Sequence, residues 1–138
     1  MPESPLRILL VEDHTATASA LARTLQRQGF AVASAASARA ALELGAKQTF
    51  DLLITDIGLP EKNGWELCGE LRMLQPGIAA IALTGYGYPA DMRRSEAAGI
   101  NLHLTKPTTM QQLQAAILKL FPQQAAAFTD AQGRPKPL

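Results

Sequence analysis

The sequence predicts an α/β fold: a parallel sheet with helices on both faces, in one domain. Three observations carry this. Five short apolar runs alternate with five segments of helical periodicity along the 138 residues, which is the pattern of repeated βα units. The run at 51–55, Asp-Leu-Leu-Ile-Thr, is almost continuously apolar, as strands are when both faces of the sheet are covered. Four of the runs, at 6–11, 51–55, 78–83 and 100–105, lead into a charged or hydroxyl residue: Glu12–Asp13, Asp56, Thr84 and Lys106. In open parallel sheets ligands bind beyond the carboxyl ends of the strands.

The elements follow in order. After the first strand at 6–11, residues 15–28 place Ala18, Leu21, Ala22 and Leu25 on one helical face, and Gly29 stops the helix. Residues 30–35 form the second strand. Ser37 caps a helix whose inner face carries Ala38, Ala41, Leu42 and Gly45. The third strand at 51–55 is followed by a loop with Gly58, Pro60 and the turn pair Asn63–Gly64. A helix runs over 65–74 and closes at Gln75-Pro76-Gly77. The fourth strand is 78–83, the loop 85–89 is flexible, and a short polar helix at 90–98 ends at Gly99. After the fifth strand at 100–105, Thr108 or Thr109 caps the last helix, with Met110, Leu113, Ile117 and Leu120 inward and Pro122 as its stop.

Right-handed crossovers leave few topologies for such a chain. The strand order 2-1-3-4-5 of a flavodoxin-like sheet brings the ends of the first and third strands together at the switch point. Periodicity does not choose that order over the Rossmann one. A chain this long can bury about two-thirds of its unfolded surface. Residues 1–5 read as a flexible N-terminus, 6–121 as the folded domain, and 122–138, rich in Pro, Gly and polar residues, as a C-terminal tail without a packed element.

The totals exclude several classes. Thirteen basic and twelve acidic residues give a net charge of +1, which provides no electrostatic pull toward nucleic acid or an anionic membrane. Cys68 is the single cysteine, so no internal disulfide forms. The first residues, Met-Pro-Glu-Ser-Pro, lack the basic start and apolar stretch of a secretion signal, and no run is long enough to span a bilayer. A cytoplasmic location is expected.

If the four runs lie side by side, three carboxylates (Glu12, Asp13 and Asp56), the Thr84 hydroxyl and the Lys106 ammonium meet at one edge. Acids that close repel unless a cation lies between them. A hard divalent ion held by oxygen ligands, Mg²⁺ above all, suits such a set.

These residues resemble the receiver domain of two-component response regulators. The likeness covers roughly residues 6–121 and rests on Ile-Leu-Leu-Val-Glu-Asp at 8–13, Asp-Leu-Leu-Ile-Thr-Asp-Ile-Gly-Leu-Pro at 51–60 with Asn-Gly at 63–64, Ala-Leu-Thr-Gly at 82–85 and Leu-Thr-Lys-Pro at 104–107. Each piece alone is weak; in this order, after these strands, they are specific. Thr-Gly-Tyr-Gly at 84–87 and His-Leu-Thr-Lys-Pro at 103–107 look most like receivers of hybrid histidine kinases. The resemblance implies a flavodoxin-like (βα)5 domain of order 2-1-3-4-5. It implies that Asp56 accepts a phosphoryl group from a kinase phosphohistidine. Asp13, Asp56 and the Gly58 carbonyl would bind Mg²⁺, with Glu12 acting through a water, and Thr84 and Lys106 would contact the phosphoryl oxygens. The expected partners are a histidine kinase or phosphotransfer protein and a downstream protein target, with neither nucleic acid nor membrane bound directly. The 90–121 face is a candidate homodimer surface.

Where this sequence departs from the family pattern, the expectations change. His103 stands where receivers usually carry Tyr or Phe in the switch that Thr84 begins, and it adds a charge option near neutral pH. Gly58 and Tyr86, two residues past Asp56 and Thr84, border the reacting group; Gly58 leaves it open and Tyr86 could cover it. Haloacid-dehalogenase-type phosphatases also place an Asp after an apolar strand but need an acid two residues later, where this chain has Gly58. A receiver excised from a hybrid kinase that passes its phosphate onward is the nearer alternative. His14 reads as an exposed first-turn residue, since imidazole is a poor Mg²⁺ ligand. Trp65 and Cys68 read as packing residues. The Gly85–Ala90 stretch formally matches a dinucleotide fingerprint but follows the wrong strand.

Overall fold

The computed structural model describes residues 5–85 and 89–124, without the side chains of 89–92. Five strands and five helices alternate: β1 (Arg7–Val11), α1 (Thr15–Arg27), β2 (Ala31–Ala35), α2 (Ala38–Lys47), β3 (Leu52–Asp56), α3 (Gly64–Leu74), β4 (Ala79–Thr84), α4 (Pro89–Ala97), β5 (Leu102–Thr105) and α5 (Met110–Leu120). All strands pair in parallel in the order β2-β1-β3-β4-β5, the flavodoxin-like alternative. The chain reverses direction across the sheet between β1 and β3, so the loops after these two strands open side by side.

The continuous apolar strands divide their side chains between two cores. Leu9, Val11, Leu53, Ala80 and Ala82 face one side, where Ala38, Ala41, Leu67 and Leu71 of α2 and α3 cover them. Ile8, Leu10, Leu52, Ile54 and Ile81 face the other, under Leu25 of α1 and Leu113 and Ile117 of α5. Each fully buried Leu or Ile contributes about 1.5–3 kcal/mol relative to exposure.

The sequence signals for helix ends hold. Ser37 Oγ accepts from Ala40 N at 3.1 Å and Thr109 forms a capping box with Gln112, whereas Asn63, read as half of a turn pair, caps α3 by accepting from Glu66 N at 2.9 Å. Thr108 is not the cap; its hydroxyl donates to the Thr105 carbonyl at 3.1 Å. Gly29, at φ +98°, takes the left-handed turn that lets α1 end and β2 begin.

Most element ends lie within a residue of expectation, and three differences have a visible cause. β5 starts at Leu102 rather than residue 100, because Arg72 from α3 reaches the Gly99 carbonyl and donates to Asn101 Oδ1 at 2.9 Å, holding this stretch as a turn. α3 begins at Gly64, because the Asn63 cap lies one residue earlier than a start at 65 requires. Residues Pro122–Gln124 form one 3-10 turn, so the tail begins structured: Gln124 N donates to the Phe121 carbonyl at 2.9 Å. The rest of the expected tail and residues 1–4 lie outside the described residues, as do Tyr86 and its loop neighbours.

Candidate phosphoacceptor site

The strand ends bring four of the predicted side chains, Glu12, Asp13, Asp56 and Lys106, to one place. Glu12 follows β1, and its backbone N–H still pairs with the Ala35 carbonyl of β2 at 3.1 Å, which fixes where its side chain leaves the sheet. Asp56 closes β3 next door. One carboxylate oxygen from each of Glu12, Asp13 and Asp56 lies within 4.8 Å of the others. Glu12 is almost fully buried, Asp56 is partly covered and Asp13 is exposed.

Lys106 enters from the far side of β4. Its peptide bond to Pro107 is cis, and its backbone N–H donates to the Thr84 carbonyl at 2.6 Å. Its ammonium donates to Asp56 Oδ2 at 2.9 Å and to Glu12 Oε2 at 3.1 Å. Burial pulls the ammonium's pKa down, whereas the hydrogen bonds and charges of Asp56 and Glu12 raise it; the net shift is upward from 10.5. The other acceptors are also engaged. Glu12 Oε1 takes the His14 N–H at 3.0 Å, and Asp56 Oδ1 takes the Gly58 N–H at 3.2 Å.

The donor set fits a hard divalent ion. All three cluster ligands are carboxylate oxygens, and opposite oxygens across an octahedral Mg²⁺ stand about 4.2 Å apart, within the spread seen here. Gly58 has open space where a side chain would project. His14 is exposed, and its Nδ1 lies 2.9 Å from Thr17 Oγ1 at the start of α1. Thr84 is buried at the end of β4. The register pairs Ala82 with His103 and Thr84 with Thr105, so Thr84 and the half-buried His103 share one face of the sheet.

Residues 8–118 match the family model of the response regulator receiver domain. The chain belongs to that family. It is 32% identical over 134 residues to the transcriptional regulatory protein GlrR of Escherichia coli K12, a match covering 97% of this chain and 30% of GlrR. Its structure superimposes on a CheY-like receiver domain protein of Methanospirillum hungatei with a TM-score of 0.82 at 32% identity, covering 88% and 97% of the two chains. The Thermotoga maritima response regulator TrrA, solved in complex with Mg²⁺-BeF, gives a TM-score of 0.74 at 30% identity, covering 84% and 99%. This receiver domain is thus a module of two-component signalling. Receiver domains work with histidine kinases or phosphotransfer proteins and are signalling modules rather than turnover enzymes. Among the described residues, no helix is long and apolar enough to cross a membrane.

Some features of this receiver were not legible in sequence. A cleft of about 460 Å³ opens beside Glu12 and Lys106, between Thr17 and Leu21 of α1 and Pro107, Thr108 and Leu113 at the start of α5. Leu21 and Leu113 carry a core signal in sequence, and only the placement of the two helices shows that a gap remains between them. Trp65 does more than pack, since its indole Nε1 donates to Ser95 Oγ at 2.7 Å. Cys68 has a basic neighbour one helical turn on, Arg72, which lowers its pKa less than burial raises it, so the thiol stays protonated.

Proposed function

We propose that Asp56 is the phosphoryl acceptor of this receiver, that Glu12, Asp13 and Asp56 hold Mg²⁺ with help from the Gly58 carbonyl, and that Lys106 and Thr84 receive the phosphoryl oxygens. The observation that carries the reading is Lys106 reaching across β4 to join Asp56 and Glu12. It supports Asp56 as the acceptor, because this carboxylate binds the cation and clusters with the acidic pair.

The residues present account for the chemistry. Asp56 is ionised at neutral pH and needs no base to act as a nucleophile. One of its oxygens forms a bond to phosphorus as the bond from phosphorus to the donor's imidazole nitrogen breaks, and the imidazole keeps the electron pair. The transition state is loose, so positioning and charge neutralisation dominate. Bound Mg²⁺ would supply Lewis-acid stabilisation of the phosphoryl charge. Lys106 is already in reach and exchanges a carboxylate partner for a phosphoryl oxygen. Thr84 donates its hydroxyl to another oxygen, and His103, on the same face, responds to the space that this movement frees. Gly58 brings no general acid to the position two residues past Asp56, which disfavours the phosphatase alternative and leaves slow loss of the phosphoryl group to water.

Incubation with Mg²⁺ and acetyl phosphate, followed by intact-mass measurement, tests this. The expected result is a gain of one phosphoryl group that persists for minutes and is absent from Asp56→Asn. An adduct of equal yield in Asp56→Asn would sink the assignment.

A further inference from the structure

Trp65 links the acceptor loop to α4. Its neighbour Gly64 is pinned against the end of β3: the Gly64 N–H donates to the Ile57 carbonyl at 2.9 Å, and a Cβ on Gly64 would stand only 2.6 Å from the Asp56 carbonyl oxygen. The first turn of α3 therefore moves with the Asp56 backbone. From that turn the indole crosses to α4, donating to Ser95 Oγ at 2.7 Å, while the Arg94 guanidinium lies 4.2 Å from the ring centroid. Ser95 is 1% exposed, so its hydroxyl has little access to water as a substitute for the indole. α4 is thus held at its C-terminal half by a residue next to the acceptor backbone. Its other end begins five residues after Thr84 in the chain.

We propose that the Trp65–Ser95–Arg94 contact is a latch that fixes α4 in the resting position and opposes phosphoryl occupancy at Asp56. This rests on Asp56 being the acceptor. A phosphoryl oxygen that draws Thr84 toward the site shifts the end of β4, five residues before α4 begins. Displacing α4 by even an ångström takes a 2.7 Å hydrogen bond out of range. Coupling of this type is reciprocal: if occupancy strains the latch, opening the latch favours occupancy.

Trp65 is the only tryptophan in the chain, so indole emission reports the latch directly. The wild-type protein is titrated with beryllium fluoride at saturating Mg²⁺ while emission is followed, and adduct formation with acetyl phosphate is measured by intact mass in parallel. The same titration on Ser95→Ala is read by emission and by loss of acetyl-phosphate reactivity, and on Trp65→Phe by the latter. The latch predicts a change in wild-type emission on occupancy, absent in Asp56→Asn, and beryllium fluoride binding about threefold to tenfold tighter in both latch variants, the range expected for loss of one hydrogen bond. Ser95→Ala removes one oxygen, and Trp65→Phe keeps an aromatic ring while losing the N–H and some volume, so agreement between the two variants separates the hydrogen bond from packing. An adduct that forms with unchanged emission, or unchanged affinity in both variants, overturns the latch and leaves the acceptor assignment standing. Failure of the wild-type protein to gain any phosphoryl mass overturns the acceptor assignment and the latch with it.

Discussion

The Lys106 ammonium lies 2.9 Å from Asp56 Oδ2, although β4 separates the strands that carry these two residues. The same ammonium also holds Glu12, which is only 3% exposed. Without a metal, Lys106 is therefore the counter-charge that keeps two clustered carboxylates compatible. Lys106→Met removes it and leaves a covered acid without its partner, at a cost of about 1–3 kcal/mol. Urea unfolding in chelator should show that loss, and saturating Mg²⁺ should restore part of it. Equal stability of variant and wild type in chelator would show that Lys106 does not hold the resting site together.

A pH dependence follows from the same contact. The folded-state pKa of Lys106 is raised above 10.5. A group whose pKa rises on folding contributes stability that is fully present below its unfolded pKa and lost as pH climbs through its folded one. Unfolding free energy from this contact is thus flat from neutral pH to about 10 and falls above that. The Lys106→Met variant lacks this alkaline decline. Denaturant unfolding of both proteins across the alkaline range reads the difference, and parallel curves would remove the contribution.

Gly64 and Gly69 both lie in α3 and predict opposite responses to alanine. A Cβ at Gly64 meets the Asp56 carbonyl oxygen at 2.6 Å and the Ile57 Cα at 3.0 Å, whereas at Gly69 it meets nothing within 4 Å. Gly64→Ala forces backbone apart at the acceptor and destabilises by about 1–3 kcal/mol. It also slows phosphoryl acceptance by displacing Asp56. Gly69→Ala, on an exposed helical position, stabilises by about 0.4–1 kcal/mol. Thermal unfolding of the two variants checks the sign, and acetyl-phosphate kinetics check the effect on the site.

The contrast between these glycines shows where sequence reasoning stops. Apolar periodicity places every strand and helix, and caps such as Ser37 and Thr109 act through hydrogen bonds within one turn, so local sequence reveals them. The convergence of Glu12, Asp13, Asp56 and Lys106 is legible because parallel strands put their carboxyl ends on one edge. Local sequence marks Gly64 as half of a turn pair and leaves Gly69 unmarked, but it does not carry the distance from Gly64 to another segment's carbonyl, which decides the response. The Trp65–Ser95 bond, across thirty residues, and the Arg72 contacts that delay β5 depend on helix placement, which periodicity leaves open.

The proposed Mg²⁺ site can be tested through its exposed acid. Asp13 is exposed and carries one of three clustered negative charges, so Asp13→Asn relieves repulsion and leaves the metal-free protein as stable as the wild type or slightly more so. Its carboxylate is nonetheless one of the three oxygens converging within 4.8 Å. Removing its charge from a site for a hard cation weakens Mg²⁺ binding at least tenfold. Wild-type protein gains about 1.4 kcal/mol of unfolding free energy when Mg²⁺ stands at ten times its dissociation constant. At that same concentration Asp13→Asn gains less than half as much. Melting curves over a Mg²⁺ series, with Ca²⁺ as a larger-ion comparison, measure this directly. Identical Mg²⁺ shifts in the two proteins would place the ion away from Asp13 and leave the cluster to Lys106 alone.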